Sequence, residues 1–417
     1  MAAADRLPWV SDREPRGPVA LVLAGGGARG AYEAGALSVL LPLLEERGER
    51  PRILIGTSVG ALNVSFLAAN AHLPTDELIA NVLAIWESIR WTEVARRLLS
   101  GGSLLRLGEY AGEVAGLPGA RLESLLDPEP LRATLRNRID FEALEDNIQA
   151  GRLDAAGVVA TSALTSRSVV FHRGLESPAP DHQRRIDYVA TSLAEDHVLA
   201  SAAIPAIFPA VEVKRPQVAQ GWYYDGGTRL NTPLKPALAF GASRVVVIAL
   251  NSLAPGPRQL AGPERPDALE GAGQILLGLL GDQLTADVGT LASVNALISA
   301  SGKRTLAAKR RVPYIVVAPA ERNAIGQCAL RVFREHFSGP LQAIRSPDIA
   351  LLARLIAGGA DAQHAELLSF LLFAPQFAKA LIKLGQEDAH RWINQTHDVD
   401  ELWQVGPPSA VLGEHRN

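Results

Sequence analysis

Two glycine-rich stretches carry residue types at spacings that chemistry requires. The first is GGGARG at 25–30, in which Gly25, Gly27 and Gly30 follow the G-x-G-x-x-G pattern. Backbone N–H groups on such a loop, at the start of a helix, attract a negative charge. That charge is either the pyrophosphate of a dinucleotide or the oxyanion that forms when an ester carbonyl is attacked.

The second stretch, GTSVG at 56–60, places Ser58 in a G-x-S-x-G motif between an apolar run and a helical segment. A sharp turn from strand to helix exposes the serine side chain, and Gly56 and Gly60 allow neighbouring backbone to pass close to it. A serine held in this way becomes a nucleophile once a base removes its proton. The alternative is a Gly-Ser turn without chemical use.

Two kinds of residue are candidates for the base. None of the nine histidines lies in a motif that marks a base, although the order Ser58, Asp225, His336 matches an α/β-hydrolase triad. We expect His336 to lie in a helix, within RVFREHF, where a triad histidine is rarely found. Asp225 is the other candidate, because the glycines Gly226 and Gly227 allow a turn that would hold its carboxylate at a loop tip.

Together these motifs resemble those of the patatin-like phospholipase family. The matching stretches are GGGARG at 25–30, GTSVG at 56–60 and DGG at 225–227. The apolar stretch ASAAIPAIFP at 200–209 is also similar to the segment that precedes the aspartate loop in that family. The resemblance extends over residues 17–320, and its motifs agree in order and spacing.

The resemblance implies a lipid acyl hydrolase that works through an acyl-serine intermediate, with phospholipid or lysophospholipid as the expected substrate. Ser58 is then the nucleophile and Asp225 the general base of a Ser-Asp dyad that needs no histidine. The implied oxyanion hole consists of Gly25, Gly26, Gly27 and Arg29. The remaining motif glycines are Gly30, Gly56, Gly60, Gly226 and Gly227. An acyltransferase, or a binding protein with an inactive site, would share these motifs.

A nucleotide-binding module is the alternative interpretation of the Gly25–Gly30 loop. A dinucleotide fold places an acidic residue at the end of its second strand, where it binds the ribose. Here the second apolar run, ILI at 53–55, is followed by Gly56, Thr57 and Ser58. A nucleotide site would also leave the GTSVG motif unexplained, so the sequence favours oxyanion binding.

Short apolar runs predict the strands that must position these residues. The expected strands are residues 19–24, 53–55, 157–161, 168–171, 244–249 and 314–318. Strand, glycine turn and helix follow one another twice, and Pro42 is expected to kink or restart a first helix that covers Ala28–Leu41. This order predicts an α/β fold with three α/β/α layers and a mostly parallel central sheet, followed by a helical C-terminal region.

We expect three segments along the chain. These are an N-terminal tail (1–16), a patatin-like catalytic domain (17–320) and a helical C-terminal region (321–417). Residues 86–125 favour a surface excursion over a mobile cover, and residues 254–266 indicate a Pro-rich linker. The apolar stretch 367–384 is interrupted by proline and lysine, so it favours the core of a helical cap over a helix docked on a membrane.

Composition limits the remaining possibilities. The chain has 417 residues, of which 47% are hydrophobic and 20% charged, and its net charge of −3 gives no indication of nucleic-acid binding. Cys328 is the only cysteine, which excludes an internal disulfide and a cysteine-based zinc site, and without a metal motif we expect no cofactor. Residues 1–18 do not have the pattern of a signal peptide. We therefore expect a cytoplasmic enzyme with a lipid or membrane-surface substrate, with peripheral attachment as an alternative.

Overall fold

The computed structural model describes residues 17–95, 126–205, 207–254, 284–301, 305–306, 309–338, 362–395, 397 and 402–407. The predicted N-terminal tail lies outside the described residues. So do residues 96–125 of the predicted surface excursion and residues 255–266 of the predicted linker.

A nine-stranded sheet forms the centre of the described structure. Its strands are β1 (Val19–Leu23), β2 (Ile53–Thr57), β3 (Ala155–Ser162), β4 (Ser168–Gly174), β5 (Ile186–Ala190), β6 (Val211–Val213), β7 (Gly221–Asp225), β8 (Arg244–Ile248) and β11 (Tyr314–Val317). The main path runs β11-β8-β1-β2-β3-β4-β5. The pairs from β11 to β3 are parallel, whereas β4 and β7 run antiparallel to β3, and β6 pairs with β7. Two short strands, β9 (Thr305–Leu306) and β10 (Lys309–Arg310), pair separately.

Helices flank this sheet and give the predicted three-layer α/β/α architecture. They are α1 (Gly30–Glu46), α2 (Val59–Ala69), α3 (Thr75–Ser88), α4 (Glu129–Arg138), α5 (Phe141–Gln149), α6 (Glu195–Ser201), α7 (Leu234–Ala239), α8 (Leu284–Ala300), α9 (Ala324–His336), α10 (Ala362–Leu371) and α11 (Pro375–Ile393). Strands β1, β2 and β8 are buried along nearly their whole length, which is typical of a parallel sheet covered on both faces.

The predicted strands are confirmed, with small differences at their ends, and three further strands of the central sheet were not predicted. The burial of β5, β6 and β7 is mixed, so none of them forms an apolar run in the sequence. The expected restart at Pro42 is wrong, because α1 continues past it to Glu46. Proline removes one helical hydrogen bond, but Leu40, Leu41 and Leu44 around it are buried and hold the helix in place.

The C-terminal helix α11 packs directly on α1. A Cβ atom at Gly35 would lie 2.1 Å from the carbonyl oxygen of Ile382, and one at Gly385 would lie 2.1 Å from the carbonyl oxygen of Tyr32. The two backbones therefore touch where the glycines leave no side chain between them. The phenol of Tyr32 also donates to the Asp388 carboxylate across 2.8 Å. The segment 367–384 is thus core, as predicted, while the domain boundary at residue 320 stays a prediction.

Over the described residues, no single helix is both long and apolar enough to cross a membrane. Ala365–Leu371 and Pro375–Ile393 reach that length and apolarity only when they are taken together, and the chain bends by 108° between them.

The short segment 402–407 reaches the edge of the sheet. Gln404 exchanges two backbone hydrogen bonds with Tyr314 on β11, at 2.8 and 2.9 Å. Beside it, Trp403 is fully buried and its indole N–H donates to Glu49 across 2.8 Å. Trp403 and Gln404 are therefore anchored to the same core as β11.

Candidate active site

Ser58 occupies a strained turn between β2 and α2. Its φ of 53° and ψ of −121° lie in a region that residues other than glycine seldom adopt. A Cβ atom at Gly60 would lie 2.4 Å from the carbonyl oxygen of Leu23, so only glycine fits where this turn passes β1. The Ser58 N–H donates to Ser201 Oγ at 2.8 Å, and Ser201 Oγ donates in turn to the Val159 carbonyl at 2.5 Å. The turn is thereby tied to α6 and β3.

Strand β7 brings Asp225 to this turn. Thr57, the last residue of β2, pairs with Val159 of β3, and Asp225, the last residue of β7, pairs with the next residue, Ala160. Because β4 occupies the other edge of β3 at Ala160, β2 and β7 share one edge and meet end to end. The residues that close the two strands therefore come together.

Ser58 and Asp225 are in direct contact. Ser58 Oγ donates a hydrogen bond to Asp225 Oδ2 at 2.6 Å, and the Gly227 N–H donates to Oδ1 at 2.7 Å. Asp225 is fully buried at the end of a strand, not at a loop tip as the sequence suggested. Burial raises the pKa of its carboxyl to about 7, although the hydrogen bonds from Ser58 and Gly227 act in the opposite direction.

The glycine loop after β1 lies beside the serine. A Cβ atom at Gly25 would lie 2.5 Å from Asn231 Oδ1 and 3.1 Å from Ser58 Cβ, so a side chain there would collide with the site. The Gly25 N–H donates to the Asn231 carbonyl at 3.2 Å. Within the described part of the chain, no protein acceptor is bonded to the N–H of Gly26 or Gly27. These two amides are therefore available to a ligand.

Arg29 points its side chain into a buried cluster on α10. The guanidinium, 1% exposed, is bonded to Glu366 Oε2 at 2.5 Å and to Ser369 Oγ at 2.7 Å, and lies 3.8 Å from the centre of the Phe370 ring. Its remaining nitrogen is 3.4 Å from Asn251 Oδ1. Each guanidinium nitrogen thus has a protein acceptor, and the assignment of Arg29 to the oxyanion hole stays a prediction.

An apolar pocket opens at Ser58 and Gly27. It encloses about 910 Å³, including space that is open to solvent. Its apolar lining comes mainly from α2, α3, α4 and the segment around the end of α10, and consists of Val59, Leu62, Phe66, Val82, Ile85, Trp86, Ile89, Val94, Leu131, Leu135, Ile139, Ala202, Ile204, Phe208, Phe370, Leu371 and Phe373. An apolar lining of this kind suits a hydrocarbon chain.

Three polar side chains besides Ser58 reach the pocket. Asn63 is already satisfied, because its Nδ2 donates to Glu33 Oε2 at 2.7 Å and its Oδ1 accepts from the Trp86 indole at 3.0 Å. Thr134 donates to the Glu93 carbonyl. Arg138 is 41% exposed and therefore marks the solvent side of the pocket, with Glu93 Oε1 at 3.5 Å. Sequence reasoning did not find these lining residues, since they are scattered and belong to no motif.

The structure does not bring His336 to the pair. It is exposed at the end of α9, with its ring against Phe337, whereas Ser58 is 4% exposed and Asp225 fully buried. The predicted helix around His336 is confirmed. Among the described side chains, no three His, Cys, Asp or Glu residues are grouped as ligands of a metal ion would be.

Comparison with known proteins identifies the family. The family model described as patatin-like phospholipase matches residues 21–238, which is more than half of the chain. The chain belongs to the patatin-like phospholipase family. It is accordingly a lipid acyl hydrolase, and its substrate is a lipid. The match covers all three predicted motifs. Helix α10, which contributes to the pocket, and helix α11, which packs on α1, lie beyond it.

Two solved structures are similar at low sequence identity. VipD from Legionella pneumophila is 13% identical with a TM-score of 0.32, over 89% of this chain and 67% of VipD. The heterodimeric ExoU-SpcU complex from the type III secretion system of Pseudomonas aeruginosa is 16% identical with a TM-score of 0.24, over 88% of this chain and 75% of the matched one. No curated protein matches the sequence.

Proposed function

We propose that this protein cleaves an acyl ester of phospholipid or lysophospholipid with Ser58 as nucleophile and Asp225 as general base. The observation that carries the proposal is the 2.6 Å hydrogen bond from Ser58 Oγ to Asp225 Oδ2 at the opening of an apolar pocket. A serine hydroxyl needs a base within hydrogen-bond reach, and Asp225 is the titratable group bonded to it.

In the first half of the reaction, Ser58 Oγ attacks the ester carbonyl and its proton passes to Asp225. The carbonyl oxygen becomes an oxyanion, which the N–H groups of Gly26 and Gly27 stabilise beside the serine. The bond to the leaving alcohol then breaks, and that alcohol takes the proton from Asp225. The acyl group remains bound to Ser58 as an ester.

In the second half, water enters and Asp225, ionised again, removes one of its protons. The hydroxide attacks the acyl-serine, the same amides stabilise the second oxyanion, and the proton returns from Asp225 to Ser58 Oγ as the fatty acid leaves. A carboxylate with a pKa of about 7 suits both proton transfers near neutral pH, because it can accept the proton from Ser58 or water and then release it to the leaving group.

The pocket supports the choice of a lipid whose head group contains a phosphate. Its apolar walls suit one acyl chain, with the carbonyl at Ser58. At the solvent side, Arg138 supplies a guanidinium, which pairs well with a phosphate. A neutral acylglycerol would leave this cation without a ligand partner, so we favour phospholipid and lysophospholipid.

The test is hydrolysis by purified wild-type, Ser58→Ala and Asp225→Asn proteins. The substrates are phosphatidylcholine vesicles and a soluble p-nitrophenyl butyrate ester. We expect each substitution to lower kcat on both substrates by about a thousandfold or more. Circular dichroism shows whether the variants are folded. Wild-type activity in either folded variant would refute the dyad, and His336→Ala, which should be fully active, tests the triad alternative directly.

A further inference from the structure

The arginine of the glycine loop is bound by a helix far away in the sequence. Arg29 and Glu366 are separated by 337 positions, yet their side chains form a 2.5 Å ion pair in which Arg29 is 1% and Glu366 14% exposed. The Glu366 carbonyl accepts a further hydrogen bond from Arg29 at 2.9 Å, and Ser369 accepts one at 2.7 Å. Charge-assisted hydrogen bonds of this kind are strong and hold a defined geometry when they are buried.

Helix α10 also touches the loop through its backbone. A Cβ atom at Gly27 would lie 2.3 Å from the carbonyl oxygen of Phe370, so the loop and the helix end are in contact. On the other side of α10, a Cβ atom at Gly326 would lie 2.6 Å from Glu366 Oε1, so α9 supports Glu366 from behind. The loop that carries Gly26 and Gly27 is therefore held against α10 by one ion pair, two further hydrogen bonds from Arg29 and one backbone contact.

We propose that Glu366 is a positioning residue for the oxyanion hole, acting through Arg29 to hold the amides of Gly26 and Gly27 in place. The inference rests on the proposed role of those amides. It gives α10, which lies beyond the family match, a part in the reaction as well as in the pocket wall. Because oxyanion donors act only at the correct distance, a small shift of the loop lowers kcat more than it changes substrate binding.

The test compares Glu366→Gln and Ser369→Ala with a matched control, Glu145→Gln. Glu145 also forms an ion pair with an arginine, Arg173, but on α5 and β4. On p-nitrophenyl butyrate, we expect Glu366→Gln to lower kcat by about tenfold with little change in KM, and Ser369→Ala to have a smaller effect in the same direction. The control should retain wild-type kcat.

Three outcomes separate this inference from its alternatives. If Glu366→Gln lowers the melting temperature but has wild-type kcat at temperatures where it is folded, the ion pair is only structural and the inference is wrong. If Glu145→Gln loses as much kcat as Glu366→Gln, the effect is not specific and the inference is again wrong. The Ser58→Ala variant is assayed alongside, since its activity tests the proposed function and not the positioning role. A pH–rate midpoint that is unchanged in Glu366→Gln supports an effect on the loop and not on Asp225.

A different surface carries a second inference. Leu164 is 93% exposed, Val218 88% and Trp222 56%, which is unusual for large apolar side chains. Leu164 and Val218 lie on the turns of two adjacent hairpins, β3–β4 and β6–β7, and Trp222 lies near the start of β7. The two hairpins are joined by the hydrogen bond from the Ala163 N–H to the Trp222 carbonyl at 2.9 Å. We name residues 163–167 and 214–222 together the hairpin tips.

The hairpin tips lie at the same end of the sheet as the dyad. Trp222 precedes Asp225 by three residues on β7, roughly 10 Å along an extended strand. Strand β3 pairs with Asp225 at Ala160 and then continues outward to the turn that holds Leu164. The apolar side chains are thus placed near the reacting groups and point away from the core.

The charge around the hairpin tips is positive, although the chain as a whole carries −3. Arg185 bonds the Thr165 carbonyl at 2.9 Å and so joins segment 181–187 to the tips. Segments 162–168, 181–187 and 211–222 together contain five cationic and three anionic residues, namely Arg167, Arg184, Arg185, Lys214 and Arg215 against Asp181, Asp187 and Glu212. Exposed apolar residues among cations complement an anionic lipid surface.

We infer that the hairpin tips dock on an anionic lipid surface, with Leu164, Val218 and Trp222 inserted among the head groups. Binding is measured by co-sedimentation with vesicles, in the Ser58→Ala background so that the lipid stays intact. One set of vesicles is pure phosphatidylcholine, and the other contains equal parts of phosphatidylcholine and phosphatidylglycerol. The double variant Leu164→Ser/Trp222→Ser is compared with Leu297→Ser, which removes an apolar residue that is 62% exposed on α8.

We expect binding to increase with phosphatidylglycerol and to fall by about tenfold or more in the double variant, since both substitutions remove apolar surface that would leave water on binding. Leu297→Ser should bind normally. Equal loss in Leu297→Ser, unchanged binding in the double variant, or no response to phosphatidylglycerol would each overturn the inference. With Ser58 restored, hydrolysis of soluble p-nitrophenyl butyrate by the double variant should equal that of wild type, and a loss there would point to a distorted active site and also overturn it.

Discussion

Thr57 and Asp225 end two different strands on consecutive residues of β3, Val159 and Ala160. This relationship places the residue that follows Thr57, the nucleophile candidate Ser58, against the Asp225 carboxylate. Strands fix positions more firmly than loops do, since their backbone is held by the sheet. The register of the sheet thus brings Ser58 and Asp225 together. Their buried position leads to several expectations about their chemistry.

The rate of hydrolysis should depend on the ionisation of Asp225. Burial raises the pKa of this carboxyl to about 7, and only the ionised form accepts the Ser58 proton. The value of kcat/KM for p-nitrophenyl butyrate should therefore rise with pH through a midpoint near 7 and level off above it. A profile that is already flat from about pH 5 upward would show that Asp225 is not the base that limits the rate.

Replacing Asp225 by asparagine should stabilise the protein while it abolishes activity. The pKa of Asp225 is raised on folding, so its burial costs free energy as pH rises from about 4, where the unfolded chain ionises, to about 7, above which the cost is constant. Asparagine avoids this cost and can accept from Gly227 and donate to Ser58. Urea unfolding should show Asp225→Asn to be more stable by up to roughly 4 kcal/mol at about pH 8 and by much less at about pH 5. An equal gain at both pH values would contradict the assignment.

Ser201 should be needed for the strained turn at Ser58. Its hydroxyl accepts from the buried Ser58 N–H and donates to Val159, so Ser201→Ala leaves that N–H without a partner. We expect a loss of about 1–3 kcal/mol in the free energy of unfolding, together with a lower kcat. The matched control is Ser65→Ala, because Ser65 is equally buried but its hydroxyl has no partner within the described structure. That control should be neutral or stabilising; similar losses in both variants would refute the role of Ser201.

The crossing of α1 and α11 should tolerate no side chain at Gly385. An added Cβ atom would lie 2.1 Å from the carbonyl oxygen of Tyr32, which belongs to rigid helix backbone. Gly385→Ala should therefore lower the free energy of unfolding by about 2 kcal/mol or more. Gly289→Ala is the control, since Gly289 lies within α8 and nothing is within 4 Å of a Cβ atom there. Alanine favours helix, so Gly289→Ala should be stabilising, and thermal melting compares the two.

Local patterns predicted the parts of the fold that are apolar and continuous. β1, β2 and β8 are buried along nearly their whole length, and each contains a short apolar run in the sequence. β7 does not, because its residues alternate between exposed Trp222 and buried Tyr223 and include a glycine. The glycine neighbours of Asp225 therefore made it a candidate base in the sequence, but they predicted a loop. In the structure, Asp225 is the last residue of a strand.

Contacts over long sequence separations could not be predicted. Arg29 has a place in the GGGARG motif, but nothing near Glu366 indicates that the two side chains pair across 337 positions. The pocket lining could not be predicted for the same reason. Phe66, Leu131 and Phe370 come from three separate helices, and nothing in the sequence distinguishes them from ordinary core residues. Their role follows from the packing of the helices around Ser58, which no single segment specifies.

The glycine crossing between α1 and α11 also limits how the protein can be divided. Where Gly35 and Gly385 meet the opposite backbone, α11 covers α1, so a fragment that ends with the family match at residue 238 would turn this helical face to water. Such a fragment would be expected to self-associate when it is expressed alone. The smallest part that can be purified as a monomer, exchanged with a relative, or fused to another enzyme therefore includes the helices beyond residue 362.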